Sequence, residues 1–102
     1  MFSSAPKPTS TQLPENAVIL DVRSPAEFAT GHVAEATNLP LDRFVDGYPS
    51  IAPDKSKPVV IYCASGARSA QAVQYLQQQG YTNVVNGISA HHVSRQYGKA
   101  LA

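Results

Sequence analysis

The sequence predicts an α/β domain: a small, open, mostly parallel sheet with helices on both faces. Three observations lead there. Short apolar runs rich in β-branched residues alternate with segments of helical pattern. The connections between them are short. The apolar runs are also continuous rather than alternating, as in strands buried on both sides of a parallel sheet. A chain of 102 residues is one domain's length, and a single domain is expected over residues 15–102.

Residues 1–14 are rich in Ser, Thr and Pro and lack an apolar stretch. They read as a flexible leader, neither secretory signal nor helix. The first strand is Ala17-Val18-Ile19-Leu20-Asp21. A helix start follows at once: Ser24 caps, Pro25 suits the first helical position, Glu27 completes a capping box and Gly31 is the stop. Residues 33–39 read as an extended return that ends before Pro40. Residues 41–45 form a second short helical piece, followed by a loop rich in turn residues (Gly47, Pro49, Pro53, Asp54, Lys55).

Pro58 leads into the next strand, Val59-Val60-Ile61-Tyr62, and residues 64–67 read as a loop. Residues 68–79 are Ala-, Gln- and Leu-rich, with Ala72, Val73 and Leu76 on one stripe and Gly80 as the stop. Tyr81-Thr82-Asn83-Val84-Val85 is a further strand, and residues 88–97 make a closing helix.

Composition excludes several classes. With 43% hydrophobic and 15% charged residues the chain is no disordered tail. A net charge of +1 argues against nucleic acid as the main partner, since phosphate contacts need clustered Lys and Arg. Apolar runs of only about five residues do not span a membrane. One cysteine, Cys63, rules out an intrachain disulfide and a Cys-only metal site, and makes the cytoplasm the default location. Residues 1–51 hold three basic and six acidic side chains, and residues 52–102 hold five and one. The half containing the cysteine is therefore the better suited to an anionic substrate.

Cys63 stands at the C-terminal end of a central strand, the edge where open α/β sheets bind ligands. In Cys63-Ala64-Ser65-Gly66-Ala67-Arg68 the small side chains let backbone N–H groups turn inward as an anion-binding nest. The next helix aims its positive end at the same point, and Arg68 adds a full charge. These features favour thiolate over thiol. At an ordinary pKa of about 8.5 only roughly 3% of a cysteine is ionised at pH 7, and a fall of about two units raises that to roughly three quarters. Cys63 is expected to be a reactive nucleophile rather than a packed, inert strand-end cysteine.

The residues Asp21-Val22-Arg23-Ser24-Pro25-Ala26-Glu27-Phe28, then Gly31-His32-Val33, Ala36 and Asn38-Leu39-Pro40, and finally Val60-Ile61-Tyr62-Cys63 with Ser65-Gly66 and Arg68-Ser69 resemble the rhodanese family, most closely its single-domain sulfurtransferases. The resemblance covers roughly residues 15–95. It implies that Cys63 accepts a sulfane sulfur from thiosulfate or a persulfide donor, becomes a persulfide and passes the sulfur to cyanide, a thiol or a protein acceptor. By the same likeness the amides of Ala64, Ser65, Gly66, Ala67 and Arg68 cradle the terminal sulfur, and Arg68 orients the loop or the anionic donor. No cofactor or metal is expected, and the expected assembly is a monomer.

Three positions depart from the family pattern. Ala64 stands where thiosulfate-using members often carry a basic or polar residue, which weakens the case for thiosulfate as the natural donor. Asn86-Gly87 replaces a Gly-Gly pair, with His91 in place of the Trp that follows it; Asn86 is expected to keep the left-handed turn, and loss of the ring loosens the pocket rim. Glu35 replaces a Gly before Ala36.

The other polar candidates read as structural. Asp21, Arg23 and Glu27 form a cluster pinning the first strand to its helix, and His32 is a hydrogen-bonding residue rather than a general base. Tyr62 and Tyr75 pack in or beside the core. His91 and His92 are about 100° apart on a helix and do not share a metal; His91 is the better placed to reach the Cys63 mouth. Arg43 is a candidate for approaching an anionic donor, without a position the sequence defines. A Cys-dependent phosphatase or arsenate reductase would place five residues between Cys and Arg, and here four separate Cys63 from Arg68. A relay module that receives persulfide from a protein partner shares the enzyme's chemistry, and the sequence does not separate the two.

Overall fold

The computed structural model describes residues 13, 14 and 16–102; apart from residues 13 and 14, the leader expected over residues 1–14 lies outside them. Four strands, β1 (Val18–Asp21), β2 (Thr37–Asn38), β3 (Val59–Cys63) and β4 (Val84–Ser89), form one sheet in the order β2-β1-β3-β4. Every strand pair is parallel. The helices are α1 (Pro25–Ala29), α2 (Phe44–Ile51), α3 (Ala67–Gln78) and α4 (Ala90–Tyr97), with a 3-10 turn at Leu41–Arg43. No helix among the described residues is long and apolar enough to cross a membrane.

All five residues of β3 are buried, as a continuous apolar run in the middle of a two-faced sheet should be. Alternation along it feeds two cores. Val59, Ile61 and Cys63 join Leu20, Phe44, Ala72 and Leu76 under α2 and α3. Val60 and Tyr62 join Ile19, Val33 and Val93 on the α4 side. The expected stripe on α3 is the buried one, with Ala72 and Leu76 inside and Val73 packed partly against them. Tyr62 is fully buried, and its hydroxyl accepts the Val33 N–H at 3.0 Å.

The capping box on α1 forms as read, with Ser24 Oγ accepting from Glu27 N–H and Glu27 Oε1 from Ser24 N–H. Four expectations need correction. The helical piece at residues 41–45 continues through Gly47 and Pro49 to Ile51, because Phe44, Tyr48 and Ile51 fall on one face and pack on the core. That burial outweighs the turn propensity of the two residues, even though Pro49 has no N–H to give the carbonyl of Val45 one turn earlier.

The fourth strand is Val84–Ser89 rather than residues 81–85, and the closing helix starts at Ala90 rather than residue 88. Tyr81 is instead a buried staple behind α3: its N–H bonds Leu76 O and its hydroxyl donates to Ala52 O. The left-handed residue in β4 is Ile88 (φ 74°) and not Asn86. Between Ile61 and Tyr62 the ladder slips by one, so that Asn86 pairs with Ile61, Ile88 with Tyr62 and Ser89 with Cys63. Gly87 is the extra residue, and a Cβ there would lie 2.6 Å from Val93 and 2.8 Å from Val60.

Candidate active site

β3 delivers Cys63 to the C-terminal edge of the sheet, where its residue is 2% exposed. The chain then turns through Ala64, Ser65 and Gly66 into α3. Gly66 takes φ 100°, a conformation that side chains resist, and aims its N–H at Cys63 Sγ from 3.1 Å. The Ser69 N–H reaches the same atom at 3.5 Å, and the Ser69 hydroxyl also lies 3.5 Å away.

Ser69 is fully buried, and its hydroxyl has three neighbours: Cys63 Sγ, Gly66 O at 3.2 Å and Asn86 Oδ1 at 2.6 Å. Asn86 is oriented without ambiguity, since Nδ2 donates to Gly66 O at 3.0 Å and Oδ1 accepts the Ile88 N–H at 2.9 Å. A hydroxyl has one proton. While Cys63 is a thiol, Ser69 donates to Asn86 and accepts from sulfur; once Cys63 ionises, the hydroxyl can turn and donate to it.

Burial is the largest single influence on the thiol and pushes its pKa up. The hydrogen bond from the Ser69 hydroxyl, then those from the N–H groups of Ser69, Ser65 and Gly66, together outweigh it and bring Cys63 down to about 7. Ionised sulfur is thus well populated at neutral pH.

Of the loop residues nominated from sequence, Ser65 and Gly66 supply N–H groups to the sulfur, and Ala64 lines the cleft in front of it. Ala67 opens α3 and is exposed. Arg68 is not part of that cleft's wall, yet it lies close enough to the sulfur to feel the Cys63 charge. Its Nη1 and Nη2 grip Glu27 Oε1 and Oε2 at 2.7 and 2.9 Å, tying α1 to the start of α3. The Arg68 guanidinium, followed by the Ser24 N–H, holds the Glu27 carboxyl at about 2.

Glu27 therefore does not belong with Asp21 and Arg23. Those two pair separately: Arg23 Nη2 lies 2.6 Å from the fully buried Asp21 Oδ2 and 2.7 Å from Gly31 O.

The cleft over Cys63 has a volume of about 480 Å3 and is walled by Arg23, His32, Ser89, His91 and the backbone around Gly31. Of the two adjacent histidines it is His91 that lines it. His32 stacks on Phe28, with centroids 3.6 Å apart, and its Nδ1 donates to Phe28 O at 2.8 Å; it shapes the wall. Arg43 lines a separate groove of about 770 Å3 together with Ser24 and Arg68. That groove is larger but does not contain the sulfur, so the chemistry belongs to the smaller cleft.

Sequence reasoning missed Ser69 and Asn86 as site residues. For Ser69 a signal existed: three positions after Gly66, one helical turn carries it back to the strand end. Asn86 needed the bulge in β4, which no short-range pattern announced.

The Rhodanese-like domain family model matches residues 8–88. A sulfurtransferase of Allochromatium vinosum is 46% identical over 72 residues, 71% of this chain and 65% of that protein. The thiosulfate sulfurtransferase PspE of Escherichia coli is 39% identical over 67 residues, 66% of this chain and 64% of that protein. The chain thus spans slightly less than two thirds of either relative. A structure described as rhodanese with anions from E. coli superposes with a TM-score of 0.76 at 30% identity, covering 84% of this chain and 96% of that one. Fold, motif order and family match agree over most of its length: the chain belongs to the rhodanese-like domain family.

Proposed function

We propose that this protein is a sulfurtransferase in which Cys63 carries the sulfur. The thiolate attacks the outer sulfur of a sulfane donor, thiosulfate or a persulfide, and the S–S bond of the donor breaks. Sulfite or a thiolate leaves with the electron pair, and Cys63 becomes a persulfide. A thiophilic acceptor such as cyanide or a thiol, free or carried on a partner protein, then attacks the outer sulfur and releases the Cys63 thiolate. With no second cysteine in the chain the acceptor comes from outside, and ping-pong kinetics follow.

The observation that carries this reading is the convergence of the Gly66 and Ser69 N–H groups on one sulfur at the base of a cleft. Donors fixed in that arrangement hold a thiolate as nucleophile and again as leaving group, with no reorganisation between the two half-reactions. Arg68 fits the role of positioning residue better than that of a donor-binding cation, because its charge is committed to Glu27. The test is intact mass spectrometry after incubation with a sulfane donor. The wild-type chain gains one sulfur atom, Cys63→Ser gains none, and cyanide removes the gain; no gain in the wild type refutes the reading.

A further inference from the structure

We infer that the donor matched to this cleft is an organic persulfide, R–S–SH, rather than the thiosulfate dianion; the inference rests on Cys63 being a sulfur carrier. It comes from where the cations stand. By count the second half of the chain is basic, but little of that charge reaches the sulfur. Lys55 and Lys57 precede β3 and so lie toward the opposite edge of the sheet. Lys99 pairs with Glu35 at 3.2 Å. Arg68 is held bidentately by Glu27 and is absent from the cleft wall; Cys63 acts on it through its charge and a weak hydrogen bond, both smaller influences than the Glu27 pairing that occupies its guanidinium. Arg95 is exposed on the second turn of α4, outside the cleft.

The one arginine in the wall, Arg23, is bound to Asp21 through both of their polar ends and to Gly31 O. Among the described residues, then, each arginine next to the sulfur is already matched by a carboxylate. The loop over the sulfur presents Ala64, Ser65 and Ala67, all exposed, small and uncharged, beside an Ile88 that is 39% exposed.

A dianion approaching an anionic nucleophile needs compensating charge at the point of contact. Here it would find N–H dipoles already engaged by Cys63 and two neutralised arginines. An organic persulfide carries at most one negative charge on its sulfur pair where thiosulfate is a dianion, it reacts through the protonated form that has none, and its carbon substituent can lie against the uncharged rim. The balanced step is Cys63–S⁻ + R–S–SH → Cys63–S–SH + R–S⁻: the thiolate bonds to the outer sulfur, the S–S bond breaks, R–S⁻ departs with the electron pair, and the proton stays on the transferred sulfur.

The test compares single-turnover loading of Cys63 by thiosulfate, glutathione persulfide and a persulfide on the free cysteine of serum albumin, each normalised to its rate with a free thiol. At low ionic strength the expected result is at least about a tenfold advantage in loading rate constant for glutathione persulfide over thiosulfate. Albumin persulfide loading faster than glutathione persulfide identifies a protein source, and the reverse a small-molecule one; either supports the persulfide class. Glu27→Gln keeps an acceptor for the Ser24 N–H while releasing Arg68, and should raise the thiosulfate rate several-fold. Thiosulfate loading as fast as either persulfide overturns the inference and leaves the sulfurtransferase reading standing. Failure of every donor to load Cys63 removes both.

Discussion

Replacing Ser69 by Ala removes the hydroxyl that can turn toward Cys63 and leaves the Gly66 and Ser69 N–H groups in place. A hydrogen bond to a charged group is worth about 1.5–3 kcal/mol. This one is long for an oxygen donor, and its proton is shared with Asn86, so the lower end applies. About 1.4 kcal/mol is one pKa unit, which moves Cys63 from about 7 to about 8. A more basic thiolate is also more nucleophilic, with a Brønsted slope of about 0.5, or roughly threefold per unit.

The two effects oppose each other and give the variant a signature. Below about pH 6 it holds roughly a tenth of the wild-type thiolate and reacts with a small aromatic disulfide about threefold more slowly. Above about pH 9 both forms are ionised and the variant is about threefold faster, so the curves cross near about pH 7.5. Stopped-flow rates across this range measure the crossing. An unchanged apparent pKa, or a variant slower at every pH, refutes the role assigned to the hydroxyl.

Other outcomes follow from the same geometry. Gly87→Ala forces a methyl within 3 Å of Val60 and Val93 and should destabilise the domain by about 1–3 kcal/mol, read as a lower urea midpoint at unchanged slope. Asp21→Ala leaves the mostly buried Arg23 without its partner; the expected loss is about 3–5 kcal/mol, with Asp21→Asn losing less because one acceptor oxygen survives, and equal losses would show that charge pairing is not the cause. The Glu27 carboxyl, lowered from 4.5 to about 2, contributes stability that is complete above its unfolded value and is lost as pH falls through about 2. A carboxyl-carbon NMR titration should place its midpoint near about 2 in the wild type and clearly higher in Arg68→Ala, though still below the ordinary glutamate value because the Ser24 N–H remains.

Much of the frame was legible because its signals are local. The capping box at Ser24 and Glu27, the continuous run at residues 59–62 and the stripe on α3 each announce themselves within a few residues. The boundaries that moved were decided at a distance. Gly47 and Pro49 look like turn residues until Phe44, Tyr48 and Ile51 are seen to need one apolar face. Tyr81 looks like a strand residue until its hydroxyl finds Ala52 across the core. At the site, Cys63 and the loop after it stood out through residue type and spacing. Ser69 and Asn86 did not, since their importance lies in a contact between residues seventeen positions apart, across a helix and a bulged strand. The basic balance of the second half was a poor guide for the same reason: summed charge carries no coordinates.

The slip in β4 has a consequence for any attempt to rebuild this domain. In an unbroken ladder the sec-butyl side chain of Ile88 would stand level with Cys63; with one surplus residue accommodated, Ser89 stands there instead, and caps α4 through the His92 N–H. Lengthening that stretch by a single position would therefore exchange a hydroxyl for a hydrocarbon next to the nucleophile and misaim an entire helix, while leaving every residue of the cysteine motif untouched.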